Sequence, residues 1–243
     1  MAAAPHPVLA RWYGQAEARV PFVNDLFDQT ARHYDWICKA MAFGTGEWHR
    51  QRALRRAGFV PGMRLLDLAT GTGLVAQAAL DLGSPPHLVV GLDPSLGMLQ
   101  ENRRRRAIPL VRAGGEQLPF AAAHFDFVTI GYALRHVADL GQLFAECARV
   151  LRPGGRLLVL EITRPRSRLG FALCRLYLRG IVPKIAGLLR RDKKARQLME
   201  YYWDTIEACV PPEAILAAMQ HAGLRDATRK VTGAILSDYV ASR

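Results

Sequence analysis

The chain has 243 residues, half of them hydrophobic, and a mean hydropathy near zero, which indicates a globular protein with a full core. The formal net charge is +12, and nearly all of it comes from residues 152–196, where 13 basic residues accompany two acidic ones. No apolar run is long enough to span a bilayer, and residues 1–12 lack a signal-peptide pattern. The spacing of the four scattered cysteines indicates neither a zinc site nor a disulfide framework. We therefore expect a cytoplasmic protein.

Residues 1–58 are predicted to form a helical cap over the active site, with many aromatic residues between positions 22 and 58. From residue 64 onward, short apolar runs alternate with segments of helical periodicity. The apolar runs are predicted to be buried strands, at 64–69, 87–93, 109–113, 125–133 and 155–163. The segments predicted to be helices are 73–83, 95–106 and 140–155, the last ending at a Pro-Gly-Gly stop.

This alternation predicts parallel strands joined by helical crossovers. Residues 211–224 are predicted to form a further helix capped by Gly223, followed by two antiparallel strands about a Thr-Gly turn. The predicted fold is therefore an α/β, doubly wound, mostly parallel seven-stranded sheet of Rossmann-like type over residues 59–243. An antiparallel C-terminal hairpin closes it, and residues 164–210 form a basic helical insertion.

The first predicted strand runs into a loop of small residues, "LLDLATGTGLVAQ" (65–77). Glycine lets a ligand lie against the backbone, and the first strand-to-helix turn is where open parallel sheets bind nucleotides. Asp93 ends the second strand twenty positions after Gly73, at the spacing that places a carboxylate on a ribose diol. Ala76 occupies the third position of the dinucleotide motif, so this loop alone leaves NAD open.

The wider set of motifs is more specific. An acid closes the first strand, "GEQLPF" follows the third, and "LRPGGRLLVLE" leads into the fifth. Together with the glycine loop and Asp93, this set resembles the class I S-adenosylmethionine-dependent methyltransferases over residues 60–163. The resemblance implies S-adenosyl-L-methionine as the cofactor.

A closer resemblance is carried by "FDQTARHYDW" (27–36), "LLDLATGTG" (65–73), "EQLPF" with "AHFDFVTIGYALRHVAD" (116–139) and "RVLRPGGRLLVLEITRP" (149–165). These segments resemble the ubiquinone/menaquinone C-methyltransferase family, which implies C-methylation of a quinone precursor or a related phenolic, lipid-like ring. The cofactor-binding residues expected on this basis are Tyr34, Asp67, Ala69, Gly71, Thr72, Gly73, Asp93, Pro94, Met98, Gly114, Gly115, Glu116 and Gly131.

Within that site, the resemblance implies that Tyr34 closes over the cofactor and that Gly114 and Gly115 lie at the adenine. The chain departs from the family pattern at Gly114, where Asn or Asp is usual, and at Gly131, where Ser is common. His136 replaces an Asn, and residues 190–210 differ from the family's usual stretch over the acceptor pocket. The last two differences leave the identity of the acceptor open.

Arg135 and His136 are the candidate catalytic residues. The resemblance implies that Arg135 faces the acceptor ring; its guanidinium stays charged, so it would stabilise a phenolate rather than act as a base. His136 has the pKa range of a general base, and we hypothesise that it takes the acceptor's proton. His33 and His49 are alternative bases, and residues 201–203 (Tyr-Tyr-Trp) are either a lid over the acceptor or a core-packing helix face.

The basic segment 164–191 interleaves Arg and Lys with Leu, Ile and Phe, and Pro183 interrupts it. It indicates either an interfacial helix on anionic lipid, peripheral to the inner membrane, or a solvated basic face. No base-flipping motif follows the fourth strand, so we expect no nucleic-acid partner. Two alternative functions stay open: an O- or C-methyltransferase of a phenolic or polyketide secondary metabolite, and a non-catalytic cofactor-binding subunit of a quinone-assembly complex. A homodimer also stays open.

Overall fold

The computed structural model describes residues 4–42, 44–165, 167–182, 193–233 and 235–243, and strands alternate with helices through its central part. The strands are β1 Leu65–Leu68, β2 Val89–Leu92, β3 Leu110–Val111, β4 Phe125–Gly131, β5 Leu151–Ile162, β6 Arg225–Thr232 and β7 Leu236–Ser242. The helices are α1 Arg19–Met41, α2 Gly46–Arg56, α3 Leu74–Asp81, α4 Leu96–Arg105, α5 Leu140–Val150, α6 Arg168–Arg175, α7 Lys193–Ala208 and α8 Pro212–His221.

The strands form one sheet in the order β3-β2-β1-β4-β5-β7-β6. β3, β2, β1, β4 and β5 are parallel, whereas β7 pairs antiparallel with both β5 and β6. The predicted fold is confirmed, including the C-terminal hairpin. Because the strand order reverses between β1 and β4, the carboxyl ends of these two strands flank the crevice in which open α/β sheets bind ligands.

One predicted boundary is wrong. The helix expected over 140–155 ends at Val150, and β5 begins at Leu151 rather than at residue 155. Pro153 lacks the N–H that a helix interior needs, so the Pro-Gly-Gly run instead lies within β5. The β4–β5 register shifts between Phe125 and Phe127 to accommodate it.

The central strands are buried on both faces. Leu66 and Leu68 of β1 pack toward α5 and α8, while Leu65 packs toward α2 and α3. The alternation of side chains along a strand accounts for this division between two apolar layers. Both layers hold β1 rigidly, which fixes the position of the loop that follows it.

Above the carboxyl edge of the sheet, α1 and α7 pack on each other through aromatic side chains. The rings of Phe22 and Tyr201 meet edge to face with centroids 5.5 Å apart. The hydroxyl of Tyr202 donates a hydrogen bond to that of Tyr34 at 3.1 Å. We call this pair of helices the cap; it covers the crevice between β1 and β4.

The basic segment is described only in part. After α6 the chain continues as a π-helical turn over Leu176–Ile181, and Pro183 and residues 184–192 lie outside the described residues. The prediction of an interfacial helix interrupted at Pro183 therefore falls on a position that the structure does not describe. Within the described ranges, no helix is both long enough and apolar enough to cross a bilayer.

Candidate active site

The loop between β1 and α3 has a fixed shape because Asp67 organises it. The buried carboxylate of Asp67 accepts hydrogen bonds from the hydroxyls of Thr70 (2.6 Å) and Thr129 (2.8 Å) and from the backbone N–H of Ala76 (3.1 Å). Burial raises the pKa of Asp67, although these donors oppose the rise. Asp67 therefore positions the loop, and its predicted contact with the cofactor stays a prediction.

Asp93, at the carboxyl end of β2, faces this loop. One of its oxygens accepts a hydrogen bond from Gly71 N and the other from Ser95 N, both at 2.8 Å. Burial raises the pKa of Asp93 to about 6, and the two backbone N–H donors counteract part of that rise. Each oxygen keeps a further lone pair, so the carboxylate can accept hydrogen bonds from both hydroxyls of a ribose.

Two aspartates on α1 connect the cap to the loops around Asp93 and to α4. Asp28 accepts hydrogen bonds from Ser95 Oγ (2.5 Å) and Gly97 N (2.8 Å). Asp35 accepts a hydrogen bond from the hydroxyl of Thr72 and forms an ion pair with Arg105. We did not predict these contacts, although a seven-residue separation places Asp28 and Asp35 on one helix face and could have indicated a shared role.

Two cavities meet beneath the cap. The small cavity reaches from Asp93 to the turn after β3, at Gly114–Glu116. The large cavity, of about 420 Å³, extends the other way between α1, α2 and α6. The residues that line both are Tyr34, Ala69, Gly71, Gly131 and Tyr132. We call this shared part the seam, and we refer to the two adjoining cavities together as the cleft.

All but one of the predicted site residues line this cleft. Those on the small cavity are Tyr34, Ala69, Gly71, Asp93, Pro94, Met98, Gly114, Gly115, Glu116, Gly131 and His136. Those on the large cavity are Tyr34, Asp67, Ala69, Gly71, Thr72, Gly131 and Arg135. Gly73 lines neither: its φ is +86°, and a Cβ there would lie 2.6 Å from Asn102 Oδ1, so this glycine serves the turn and its packing.

Gly131 and Gly114, the two glycines at which the chain differs from the family pattern, lie in different surroundings. A Cβ at Gly131 would lie 2.6 Å from Cγ2 of Val75, so the valine on α3 requires a glycine on β4. At Gly114 the nearest atom to a built Cβ is Glu116 Oε2, at 3.5 Å, and the position is open. Together with Asp93, this open turn fits a ligand with a ribose at one end and a flat base at the other.

Arg135 is buried in a polar cluster. Its Nε donates a hydrogen bond to Glu161 Oε1 at 2.8 Å, and its Nη1 donates to Thr205 Oγ1 at 2.7 Å. Burial would lower the pKa of Arg135, but the adjacent Glu161 raises it, so the guanidinium stays charged. The arginine lines the large cavity while connecting β5 to α7; its predicted contact with an acceptor stays a prediction.

His136 lies on the small-cavity side, between the rings of Tyr201 and Tyr202. Its Nδ1 is 3.2 Å from the hydroxyl of Tyr201, and its buried Nε2 has no hydrogen-bond partner among the described residues. Burial, together with the charge of Arg135, lowers the pKa of His136 well below its usual range. The ring is therefore neutral and weakly basic, and the hypothesis that it takes the acceptor's proton stays a prediction.

Comparison with known proteins agrees with this geometry. The sequence profile of the ubiE/COQ5 methyltransferase family matches residues 14–242. The ubiquinone/menaquinone biosynthesis C-methyltransferase UbiE of Syntrophotalea carbinolica is 35% identical over 229 residues, covering 90% of this chain and 92% of that protein. The demethylmenaquinone methyltransferase of Corynebacterium kroppenstedtii is 33% identical, covering 91% of this chain and 94% of its own length.

Solved structures share the fold at lower sequence identity. An S-adenosylmethionine-dependent methyltransferase of Thermotoga maritima superposes with a TM-score of 0.61 at 17% identity, covering 90% of this chain and 98% of its own. The phosphoethanolamine N-methyltransferase 2 of Haemonchus contortus, solved with S-adenosyl-L-methionine, gives 0.60 at 18% identity, covering 89% of this chain and 57% of its own. At these identities the likeness concerns the fold.

Proposed function

The chain belongs to the ubiE/COQ5 methyltransferase family, and on that premise we propose that it transfers the methyl group of S-adenosylmethionine to a ring carbon of a reduced quinone precursor. The observation that carries this proposal is the cleft itself. A nucleoside site built on Asp93 adjoins a large, mostly apolar cavity at the seam. The methyl donor and a lipid-like ring would meet at that seam.

Bound S-adenosylmethionine supplies an electrophilic methyl group. The protein's part would be alignment: Asp93 would hold the ribose, the loop 69–73 would bind the amino-acid end, and the cap would exclude water. Alignment of this kind can lower a barrier by roughly 7–11 kcal/mol at best. The acceptor must be electron-rich, which favours the quinol over the quinone, because the ring carbon supplies the electron pair of the new bond.

The acceptor class is tested by offering the purified protein a synthetic 2-prenyl-1,4-naphthoquinol kept reduced. We expect a methylated product with the new group on the ring carbon, because the large cavity fits a ring with an apolar tail. The matched control is the same compound as the oxidised quinone, which should give no product. Mass spectrometry and carbon NMR identify the product; methylation of catechols or resorcinols in preference to the quinol would contradict the proposal.

We also propose that α6 brings the large cavity to a lipid surface. Cys174, Tyr177 and Leu178 line the cavity from one side of this segment. Leu169 and Leu173 of α6 and Leu176 of the π-helical turn after it are exposed, with 72%, 57% and 59% of each residue accessible. Arg168, Arg175 and Arg179 lie in the same stretch, as in helices that rest on anionic lipid. A hydrophobic tail could then pass from the bilayer into the cavity over a short path.

Replacing Leu173 with Asp should weaken binding to vesicles that contain anionic phospholipid. The substitution puts a negative charge into the exposed leucine row and opposes both the apolar and the electrostatic contribution. Co-flotation measures the bound fraction, with Val231→Asp, an exposed apolar residue on β6, as the matched control. If the Leu173 variant floats like the unaltered protein, the lipid contact is elsewhere.

A homodimer stays a prediction that sedimentation can test.

A further inference from the structure

A tyrosine at the seam has an unusual backbone and two buried polar residues behind it. Tyr132 follows β4 with φ of +61°, in the left-handed region that side chains other than glycine rarely adopt. Holding a bulky residue there costs conformational free energy, and such positions cluster at functional sites. The conformation keeps Tyr132 on the wall of both cavities, where donor and acceptor would meet.

The hydroxyl of Tyr132 is 3.0 Å from Nδ1 of His49, on α2. On the far side of that ring, His49 Nε2 lies 3.1 Å from Oδ1 of Asp238, on β7. His49 and Asp238 are both buried, and neither of these two contacting atoms has a hydrogen-bond partner among the described residues, so their 3.1 Å contact is a close approach of opposite polarity without hydrogen-bond geometry. Three separate elements thus supply a continuous row of polar atoms that ends at the cleft.

The charge of the aspartate favours one tautomer of the histidine over the other. A carboxylate only accepts, so Asp238 favours the tautomer with hydrogen on Nε2 and leaves Nδ1 as the acceptor for the tyrosine O–H. Arg56 Nη1 lies 3.7 Å from the other oxygen of Asp238.

We propose that Tyr132, His49 and Asp238 form a proton relay that takes the hydroxyl proton of the acceptor ring. The proposal rests on the proposed function, because it assumes a phenolic acceptor at the seam. The tyrosine touches the acceptor, whereas His49 and Asp238 act through it.

The relay balances as follows. The acceptor O–H bond breaks and its proton moves to the oxygen of Tyr132, while the tyrosine's own proton moves to His49 Nδ1. The ring, now a phenolate, would use one of its electron pairs to form the carbon–methyl bond while the sulfur–methyl bond of the donor breaks, its electron pair staying on sulfur in the departing S-adenosylhomocysteine. The proton on the methylated ring carbon leaves to water, which restores the aromatic ring. His49 then returns its proton through Tyr132 to the ring oxygen, and one proton is released in all.

The groups around Tyr132 suit this role. Arg50 and Cys38 line the large cavity beside it, and Glu161 and Asp238 lie behind it. Burial raises the pKa of Tyr132, and the charge of Arg50 offsets only part of that rise, so the tyrosine keeps its proton until His49 can take it. Arg50 also supplies a positive charge near the site where the acceptor's oxygen becomes negative.

The first test needs no acceptor. In protein labelled with ¹⁵N-histidine, the nitrogen shifts of the seven histidines report their tautomers. We expect His49, identified by the signal missing from His49→Gln, to be protonated on Nε2, and its Nδ1 shift to move in Tyr132→Phe. Tyr239→Phe, which removes a buried hydroxyl away from both cavities, is the matched control and should leave that shift unchanged. A proton on Nδ1 of His49, or no response to Tyr132→Phe, overturns the relay.

The second test uses turnover of the naphthoquinol. Loss of a general base typically lowers kcat about 100-fold or more, so we expect Tyr132→Phe and His49→Gln each to lose about that factor with Kd for S-adenosylmethionine unchanged. Full kcat in both variants overturns the relay. No turnover by the unaltered protein contradicts the proposed acceptor instead, and the NMR result still decides the relay's geometry.

Discussion

Replacing Asp93 with Ala is expected to raise the Kd for S-adenosylmethionine by at least about 100-fold, because the ribose loses two hydrogen bonds to a charged acceptor. Such bonds contribute about 1.5–3 kcal/mol each. The same change removes the acceptor for Gly71 N and Ser95 N, so the loop also loses its attachment to the end of β2. Isothermal titration calorimetry measures the affinity directly.

Two controls separate these effects. Asp93→Asn keeps the side chain's shape and one acceptor oxygen, so its affinity should fall between those of the unaltered protein and the alanine variant. Asp81→Ala removes an exposed carboxylate at the end of α3 and should not change the affinity. An unchanged Kd in Asp93→Ala would place the nucleoside elsewhere and remove the basis of the proposed function.

The pH dependence of the same titration follows from the raised pKa. Burial brings the pKa of Asp93 to about 6, so the free protein carries the carboxylate above that pH and the protonated acid below it. The ribose hydroxyls need the charged acceptor, and binding should therefore weaken as the pH falls through 6. In Asp93→Asn this dependence should disappear.

The second large effect is expected at Arg135, where substitution by Leu should lower the free energy of unfolding by about 3–5 kcal/mol, as when one partner of a buried ion pair is removed. Glu161 would be left charged and completely buried, with its Oε2 already lacking a partner among the described residues. Thr205 and the backbone oxygen of Tyr202 would also lose a donor, which loosens α7 from the sheet.

The test is a double-mutant cycle by chemical denaturation. Arg135→Leu with Glu161→Leu removes both charges and should restore much of the stability that either single change loses, because no unpaired charge remains buried. Arg196→Leu, which breaks an exposed pair with Glu200, is the control and should cost less than about 1 kcal/mol. Additive losses in the buried pair would contradict this account of Arg135. If the folded double variant turns over at the unaltered rate, Arg135 makes no contact with the acceptor.

Much of the fold could be predicted because its signals are local. Runs of buried strand residues alternate with helical periodicity, and this alternation alone predicts parallel crossovers and the position of the ligand crevice. The position of the glycine loop beside Asp93 could also be predicted, because a strand, one helix and a second parallel strand bring the carboxyl ends of the two strands together. The Pro-Gly-Gly run was assigned to the wrong element because its pairing with β4 is not a local property.

The sequence by itself determined the sheet, the position of the glycine loop beside Asp93 and the family, because each depends on residues that are close in the chain or joined by one crossover. Only the tertiary structure decided the partners of Arg135, the attachment of α1 through Asp28 and Asp35, and the row from Tyr132 to Asp238. His49 is 83 positions from Tyr132 and 189 from Asp238. The periodicity of apolar residues along the chain does not predict such a contact, because it forms only when the sheet and its covering helices bring distant segments into one buried space.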